Sequence, residues 1–132
     1  MYRIAVLAKT AQLTRSLADQ IIRFYTRLGI FPQIERCWDQ ERFFSCVAGA
    51  APTSAVIALP GVAGLNAVEH LRSLDSKCGI IWCSDLDFSL QAFRLRVDDF
   101  LMEPVSGEAL QEALAAWYRR RQEYTARKKQ RG

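Results

Sequence analysis

The residues of this chain that could carry chemistry are few and scattered. Its one histidine, His70, has no second imidazole and no nearby serine or cysteine motif that would make it a catalytic base. The four cysteines lack the CxxC spacing of a metal site, and three of them lie in or beside apolar segments, as buried free thiols do. Asp85 and Asp87 form a short acidic pair, for which helix capping is the simpler interpretation. We therefore predict no catalytic residue, no metal site and no cofactor.

One short apolar run organises the elements that must position any site. Ser54–Leu59 consists mainly of small and β-branched residues, with Pro52 before it and Pro60-Gly61 after it. Such a run, apolar on both faces and closed by turn residues, predicts a buried parallel strand, and one buried turn of helix is the alternative. On both sides of it the chain repeats strand and then helix.

The remaining elements follow from hydrophobic periodicity and from turn residues. The predicted strands are Arg3–Ala8, Phe31–Trp38, Cys78–Cys83 and Asp99–Met102, and the predicted helices are Leu13–Leu28, Gln40–Ala48, Leu65–Leu74, Phe88–Arg96 and a fifth helix capped by Ser106. Alternating strands and helices predict an α/β fold, specifically a flavodoxin-like (βα)5 three-layer sandwich with a parallel five-stranded sheet in the order 2-1-3-4-5. A binding crevice is expected at the carboxyl ends of the strands.

Basic charge is concentrated at the C-terminal end. Residues 119–132 hold seven Lys/Arg and one acidic residue, whereas residues 1–118 hold 11 basic and 13 acidic residues. We predict a folded domain over residues 1–118 and a basic tail over 119–132. The tail is either a solvated, frayed helix end, a linker, or an arm that contacts phosphates. There is no apolar run of membrane-spanning length and no signal-peptide pattern, so we expect a cytoplasmic protein.

Two motifs at the expected crevice resemble the receiver domain of two-component response regulators. PGVAG (Pro60–Gly64) resembles the family's PGxDG after the third strand, and DDFLMEP (Asp98–Pro104) resembles its DDYLxKP at the fifth strand. The resemblance covers about residues 2–120, and SLQAFRLRVDDFL (Ser89–Leu101) looks most like the LytTR-type regulators. It implies a CheY-like signalling domain. Another flavodoxin-like group that shares only the fold is the alternative.

The positions that this family uses for phosphotransfer have lost their chemistry. The family holds Mg²⁺ with an acidic pair, accepts phosphate on an aspartate and places a lysine before the proline of strand 5. The corresponding residues are Ala8 and Lys9 for the acidic pair, Val56 (or Ala58 if the strand is shifted) for the aspartate, and Glu103 for the lysine. Only the family's hydroxyl after strand 4 survives, as Ser84. Aspartyl phosphorylation requires a carboxylate nucleophile and a cation held by oxygen ligands. We therefore predict a degenerate pseudo-receiver that lacks the phosphoacceptor Asp.

Two charges at the crevice are reversed together relative to the family. We predict that Lys9 and Glu103 form a salt bridge across it, and two independent solvated charges are the alternative. By the resemblance, Glu103-Pro104 is expected to be a cis peptide, as the family's Lys-Pro commonly is.

The resemblance also implies how the protein communicates. Family members dimerise or dock an output domain through helix 4, strand 5 and helix 5, so Phe100, Leu110 and Trp117 are the expected switch and interface residues. The first hypothesis is a signalling domain that contacts a protein partner or forms a homodimer without phosphorylation. The alternative is the regulatory N-terminal part of a DNA-binding transcription regulator, LytTR-type for example, whose output domain lies beyond residue 132. An enzyme or a flavin binder ranks last, because no Gly-rich phosphate cradle is present.

Overall fold

The computed structural model describes residues 2–131, with side chains described as far as residue 128. The chain alternates strands and helices throughout. In order, the elements are β1 (Arg3–Ala8), α1 (Ala11–Arg27), β2 (Gln33–Cys37), α2 (Gln40–Gly49), β3 (Ser54–Ala58), α3 (Gly61–Leu74), β4 (Gly79–Ser84), α4 (Ser89–Arg94), β5 (Asp99–Met102) and α5 (Gly107–Arg131).

The sheet has the predicted topology. Its five strands lie in the order β2-β1-β3-β4-β5, and every neighbouring pair is parallel. The strand predicted at Ser54–Leu59 is the central one, and each residue of β3 is buried. This is the flavodoxin-like fold expected from the sequence, because a strand covered on both faces must be apolar on both faces.

Helices cover both faces of the sheet and create two hydrophobic cores. Alternate strand residues point to opposite faces, so Ile57 and Trp82 lie in the core beneath α2, α3 and α4, whereas Val56 and Ala58 lie in the core beneath α1 and α5. The four cysteines are free thiols. Cys78, just before β4, lies in one core, and Cys83, within β4, lies in the other.

Several element boundaries differ from the sequence prediction. α3 begins at Gly61 instead of Leu65, so most of the PGVAG motif forms its first turn. α1 begins at Ala11, because the Thr10 side chain accepts a hydrogen bond from the amide of Leu13 and caps the helix. α5 continues through the predicted basic tail to Arg131, and Gly132 of that tail lies outside the described residues.

Candidate functional site

The carboxyl ends of β1 and β3 meet at two alanines. Ala8 and Ala58 are cross-strand partners, and both side chains are buried. Val56 pairs with Val6 one side-chain layer deeper in the sheet. The register therefore favours Ala58 over Val56 as the residue at the strand end. The side chain at this strand end is a methyl group, and β3 contains no acidic residue.

Ser84, the last residue of β4, has a hydroxyl group that is already hydrogen-bonded within the chain. Ser84 is fully buried, and its Oγ accepts a hydrogen bond from the amide of Leu86 at 3.1 Å. The carbonyl oxygen of Ser84 accepts a second hydrogen bond, from the amide of Glu103 at 2.8 Å. Ser84 therefore closes the β4–α4 turn and ties it to the end of β5.

The predicted Lys9–Glu103 salt bridge is absent. Within residues 2–128 the single ion pair joins Arg120 Nη2 to Asp98 Oδ1 at 3.7 Å. Asp98 precedes β5, whereas Glu103 follows it. Lys9 and Glu103 are both exposed, so each charge keeps its hydration and gains little from pairing. This part of the prediction is wrong for this structure, whereas the predicted cis peptide at Glu103-Pro104 is confirmed.

A carboxylate of the chain itself occupies the start of α3. Asp85 Oδ1 accepts a hydrogen bond from the amide of Gly61 at 2.8 Å, and Pro60 supplies no side-chain cap. The first amides of a helix attract anions because they lack intrahelical partners. Asp85 therefore satisfies the amide nearest to the end of β3. Capping is the role predicted for Asp85 and Asp87, and Asp87 caps the short α4 in the same way, through the amide of Ser89.

A pocket of about 340 Å³ opens between α1 and the β5–α5 loop, beside these strand ends. Ala58 and Cys83 form its floor, and Leu13, Glu103 and Leu110 are among its walls. Burial is the main cause that raises the pKa of the Cys83 thiol to about 12, and the carboxylates of Glu103 and Asp99 add to it. The thiol therefore remains protonated and is a poor nucleophile. Residues 2–131 contain no group of three His, Cys, Asp or Glu residues suited to a metal ion.

Two of the three predicted interface residues lie in the core. Leu110 and Trp117 are 1% and 4% exposed, because α5 turns this stripe towards α1 and the sheet. They cannot contact a partner at the surface, so their assignment to an interface is wrong. Phe100 is half-buried and points into the other core, where its ring meets that of Trp82 edge-on at 5.0 Å.

The exposed apolar residues of this face lie on α4 and at the end of β5. Leu90 is 57% exposed, Phe93 is 82% exposed and Met102 is 46% exposed. Leu90 and Phe93 are three residues apart on one side of α4. We call these three residues the α4–β5 patch. The sequence prediction missed these residues. An apolar residue in a short helix that does not continue an apolar stripe could have indicated an exposed side chain.

The fold is one that solved receiver domains share. The strand order and the five helices match those of CheY-like receiver domains, whose solved structures superpose on most of this chain. No family model matches the sequence, and no curated protein matches it. No described helix combines the length and the hydropathy needed to cross a bilayer.

Three solved structures illustrate the likeness. A CheY-like receiver domain protein from Methanospirillum hungatei JF-1 has a TM-score of 0.75 and 17% identity, covering 94% of this chain and 98% of that one. A DNA-binding response regulator of the LuxR family from Staphylococcus aureus has a TM-score of 0.66 and 16% identity, covering 87% and 97%. DrrB, an OmpR/PhoB homologue from Thermotoga maritima, has a TM-score of 0.72 and 17% identity, covering 92% of this chain and 54% of DrrB. At these identities the likeness establishes the fold.

Proposed function

We propose that this chain is a signalling domain of a response-regulator-like protein that works without phosphorylation. The observation that carries the proposal is the pairing of Ala8 with Ala58 at the strand ends. Neither methyl group can accept a phosphoryl group or bind Mg²⁺. The nearby Lys9 adds a positive charge at a position where the family resemblance calls for an acidic residue.

Internal contacts that hold the crevice without a ligand support the same proposal. Asp85 binds the first amide of α3, and Ser84 binds the β4–α4 turn. A carboxylate of the chain itself therefore holds the first amide of α3, and this contact needs no external anion.

The domain is expected to remain unphosphorylated in the presence of a phosphoryl donor. Incubation with acetyl phosphate and Mg²⁺ should leave the intact mass unchanged, because no carboxylate lies at the end of β3. An active receiver domain incubated in the same way is the positive control. A phosphoryl adduct, or beryllofluoride bound beside Ala8, Lys9 and Ala58, would contradict the proposal.

Communication by contact requires a surface, and the α4–β5 patch is the proposed one. Leu90 and Phe93 lie on α4, which packs against the edge strand β5, and Met102 belongs to β5 itself. Exposed apolar residues that share one part of a surface mark protein interfaces. The partner we propose for this patch is a second copy of this chain. A different protein that binds the same patch is the alternative.

A charge placed in the patch tests this interface. Phe93→Glu is expected to weaken self-association at least about tenfold, because a carboxylate would have to be desolvated at the centre of the contact. Phe31→Glu is the matched control, since Phe31 is 79% exposed and Phe93 is 82% exposed. Sedimentation equilibrium measures both variants. A wild-type protein that remains monomeric at about millimolar concentration, where even weak contacts with a Kd near 1 mM are populated, would exclude the homodimer.

A second candidate is the regulatory part of a DNA-binding transcription regulator. The observation in its favour is that the chain aligns with 54% of DrrB, an OmpR/PhoB homologue, and also with a LuxR-family DNA-binding response regulator. The reading frame beyond residue 132 decides this question, because an output domain encoded there would make the present domain its regulator.

A further inference from the structure

A basic groove lies at the amino-terminal ends of β4 and β5, whereas Ala8 and Ala58 lie at the opposite, carboxyl-terminal ends of their strands. It runs between the α3–β4 loop, the loop before β5 and the C-terminal half of α5, and it encloses about 500 Å³. The side chains that define it here are Lys77, Arg96, Arg120, Arg121, Tyr124 and Lys128. These residues belong to segments far apart in the sequence, and the fold brings them to one wall.

One stripe of α5 forms the long side of this basic groove. Trp117, Arg121, Tyr124 and Lys128 recur at spacings of four, three and four residues and therefore share one helix face. Trp117 packs against the backbone of Gly79, where an added Cβ would overlap the indole, so α5 sits close to the start of β4. The Arg121 guanidinium lies 5.8 Å from the centre of the Trp117 ring, which directs this charge along the groove.

The positive charge of the basic groove is largely uncompensated. Asp98 is the one acidic residue that lines it, and its carboxylate already contacts Arg120 and accepts a hydrogen bond from the amide of Ile80. Among the described side chains, Lys77, Arg96, Arg121 and Lys128 form no ion pair and are exposed. An anion bound there would neutralise them without displacing an internal partner.

A further arginine builds the wall of the groove. The Arg72 side chain donates hydrogen bonds to four main-chain carbonyl oxygens, those of Asp75, Cys78, Leu95 and Arg96. This fork holds the α3–β4 loop and the loop before β5 together, so Lys77 and Arg96 are positioned by a fixed scaffold. The cationic rim is therefore organised before any ligand arrives, which reduces the entropy lost on binding.

We propose that the basic groove binds single-stranded nucleic acid, with phosphates at its lysine and arginine side chains and a base stacked on Tyr124. Tyr124 is 63% exposed and stands between Arg121 and Lys128, and aromatic rings interleaved with cations are the usual arrangement in single-strand grooves. The exposed part of the stripe, from Arg121 to Lys128, extends about 11 Å along the helix, which suits a chain of phosphates better than one isolated anion. An acidic peptide would use the charges but leave the exposed ring without a partner.

Fluorescence anisotropy of the full chain with labelled oligo-dT and oligo-rU of equal length tests the proposal and distinguishes DNA from RNA as the source. With four free cations engaged, the logarithm of the affinity should fall with the logarithm of the salt concentration with a slope of about −3. The affinity for the oligonucleotide should therefore fall about 50-fold when the salt concentration rises from about 50 to 200 mM. A labelled duplex and an acidic polyglutamate are the competing ligands, and both should bind more weakly than the single strands.

Two pairs of variants on the same helix separate the basic groove from the general charge of α5. Arg121→Ser with Lys128→Ser should weaken binding at least about tenfold and halve the salt slope. Arg119→Ser with Arg127→Ser removes the same charge from residues that do not line the groove, and it should change the affinity less than about threefold. Circular dichroism confirms that each variant is folded.

A third variant tests the stacking contribution alone. Tyr124→Leu keeps every charge, so it should lower the affinity for single strands by about fivefold or more while the salt slope stays the same. Three outcomes would overturn the proposal. They are equal losses of affinity in the two double variants, an unchanged affinity of Tyr124→Leu, and polyglutamate or duplex binding as tight as single-strand binding.

Discussion

Replacing Trp82 with alanine is expected to lower the free energy of unfolding by about 3–5 kcal/mol, the largest single-residue effect we predict. Trp82 lies in the middle of β4 with no exposed surface. Its indole stacks on the Phe88 ring at 5.4 Å and meets the Phe100 ring at 5.0 Å. Truncation would leave a cavity beneath α3 and α4 that these neighbours cannot fill without moving.

Trp82→Phe distinguishes packing from the polar atom of the indole. The Nε1 of Trp82 is buried and has no hydrogen-bond partner in the described part of the chain. Phenylalanine removes this unsatisfied donor but keeps most of the ring contacts, so its cost should be about 1–2 kcal/mol. Phe93→Ala, at an exposed position, should stay within about 0.5 kcal/mol of the wild type. Urea denaturation followed by circular dichroism measures all three variants, and a loss below about 1.5 kcal/mol for the alanine variant would show that Trp82 is not the core anchor inferred here.

The sheet was predictable because the sequence of a strand reflects whether one or both of its faces are buried. A parallel strand covered on both faces has no polar side to confuse the pattern, and Ser54–Leu59 shows this most clearly. The edge strand β2 is shorter than predicted, Gln33–Cys37 instead of Phe31–Trp38. Pro32 cannot donate a ladder hydrogen bond, and Phe31 is 79% exposed outside the sheet.

The start of α3 could not be read from the local sequence. Pro60-Gly61 is a turn signal, and the PGVAG segment was accordingly interpreted as a loop. In the structure the amide of Gly61 finds its acceptor on Asp85, 24 residues away, and this long-range bond supports a helix that starts immediately after Pro60. The tertiary contact with Asp85 outweighs the local turn propensity of Pro60-Gly61, and a short stretch of sequence does not contain both partners.

The candidate site shows a similar limit. Leu110 and Trp117 are seven residues apart and lie on one side of α5, in the core. The resemblance implied an interface role for them, which a side chain in the core cannot have. The topology places the loops of Lys9 and Glu103 at the same edge of the sheet, yet exposed side chains are free to remain apart. Likewise, the basic tail was visible in the sequence, whereas the contribution of Lys77 and Arg96 to the basic groove required the folded chain.

The second large effect concerns the last residue of the PGVAG motif. Gly64→Ala is expected to lower the free energy of unfolding by about 2–3 kcal/mol, because an added Cβ would overlap the main-chain carbonyl oxygen of Leu59 and lie 3.3 Å from Trp82 Nε1. A side chain could rotate away from such an overlap, but a carbonyl at the end of the central strand cannot. The first turn of α3 would have to move away from β3, and the bond between Asp85 and Gly61 would be strained with it.

Gly49→Ala is the control for the general effect of replacing a helical glycine. Gly49 is the last residue of α2, and nothing lies within 4 Å of the position that a Cβ would occupy. Its replacement should therefore stabilise the domain by about 0.4–1 kcal/mol, since alanine has fewer conformations to lose on folding. The two variants differ from the wild type by the same methyl group, so opposite signs in urea denaturation would isolate the close approach of α3 to β3. Equal effects would mean that α3 does not begin at Gly61 against the end of the central strand, and would contradict the strand-end geometry described above.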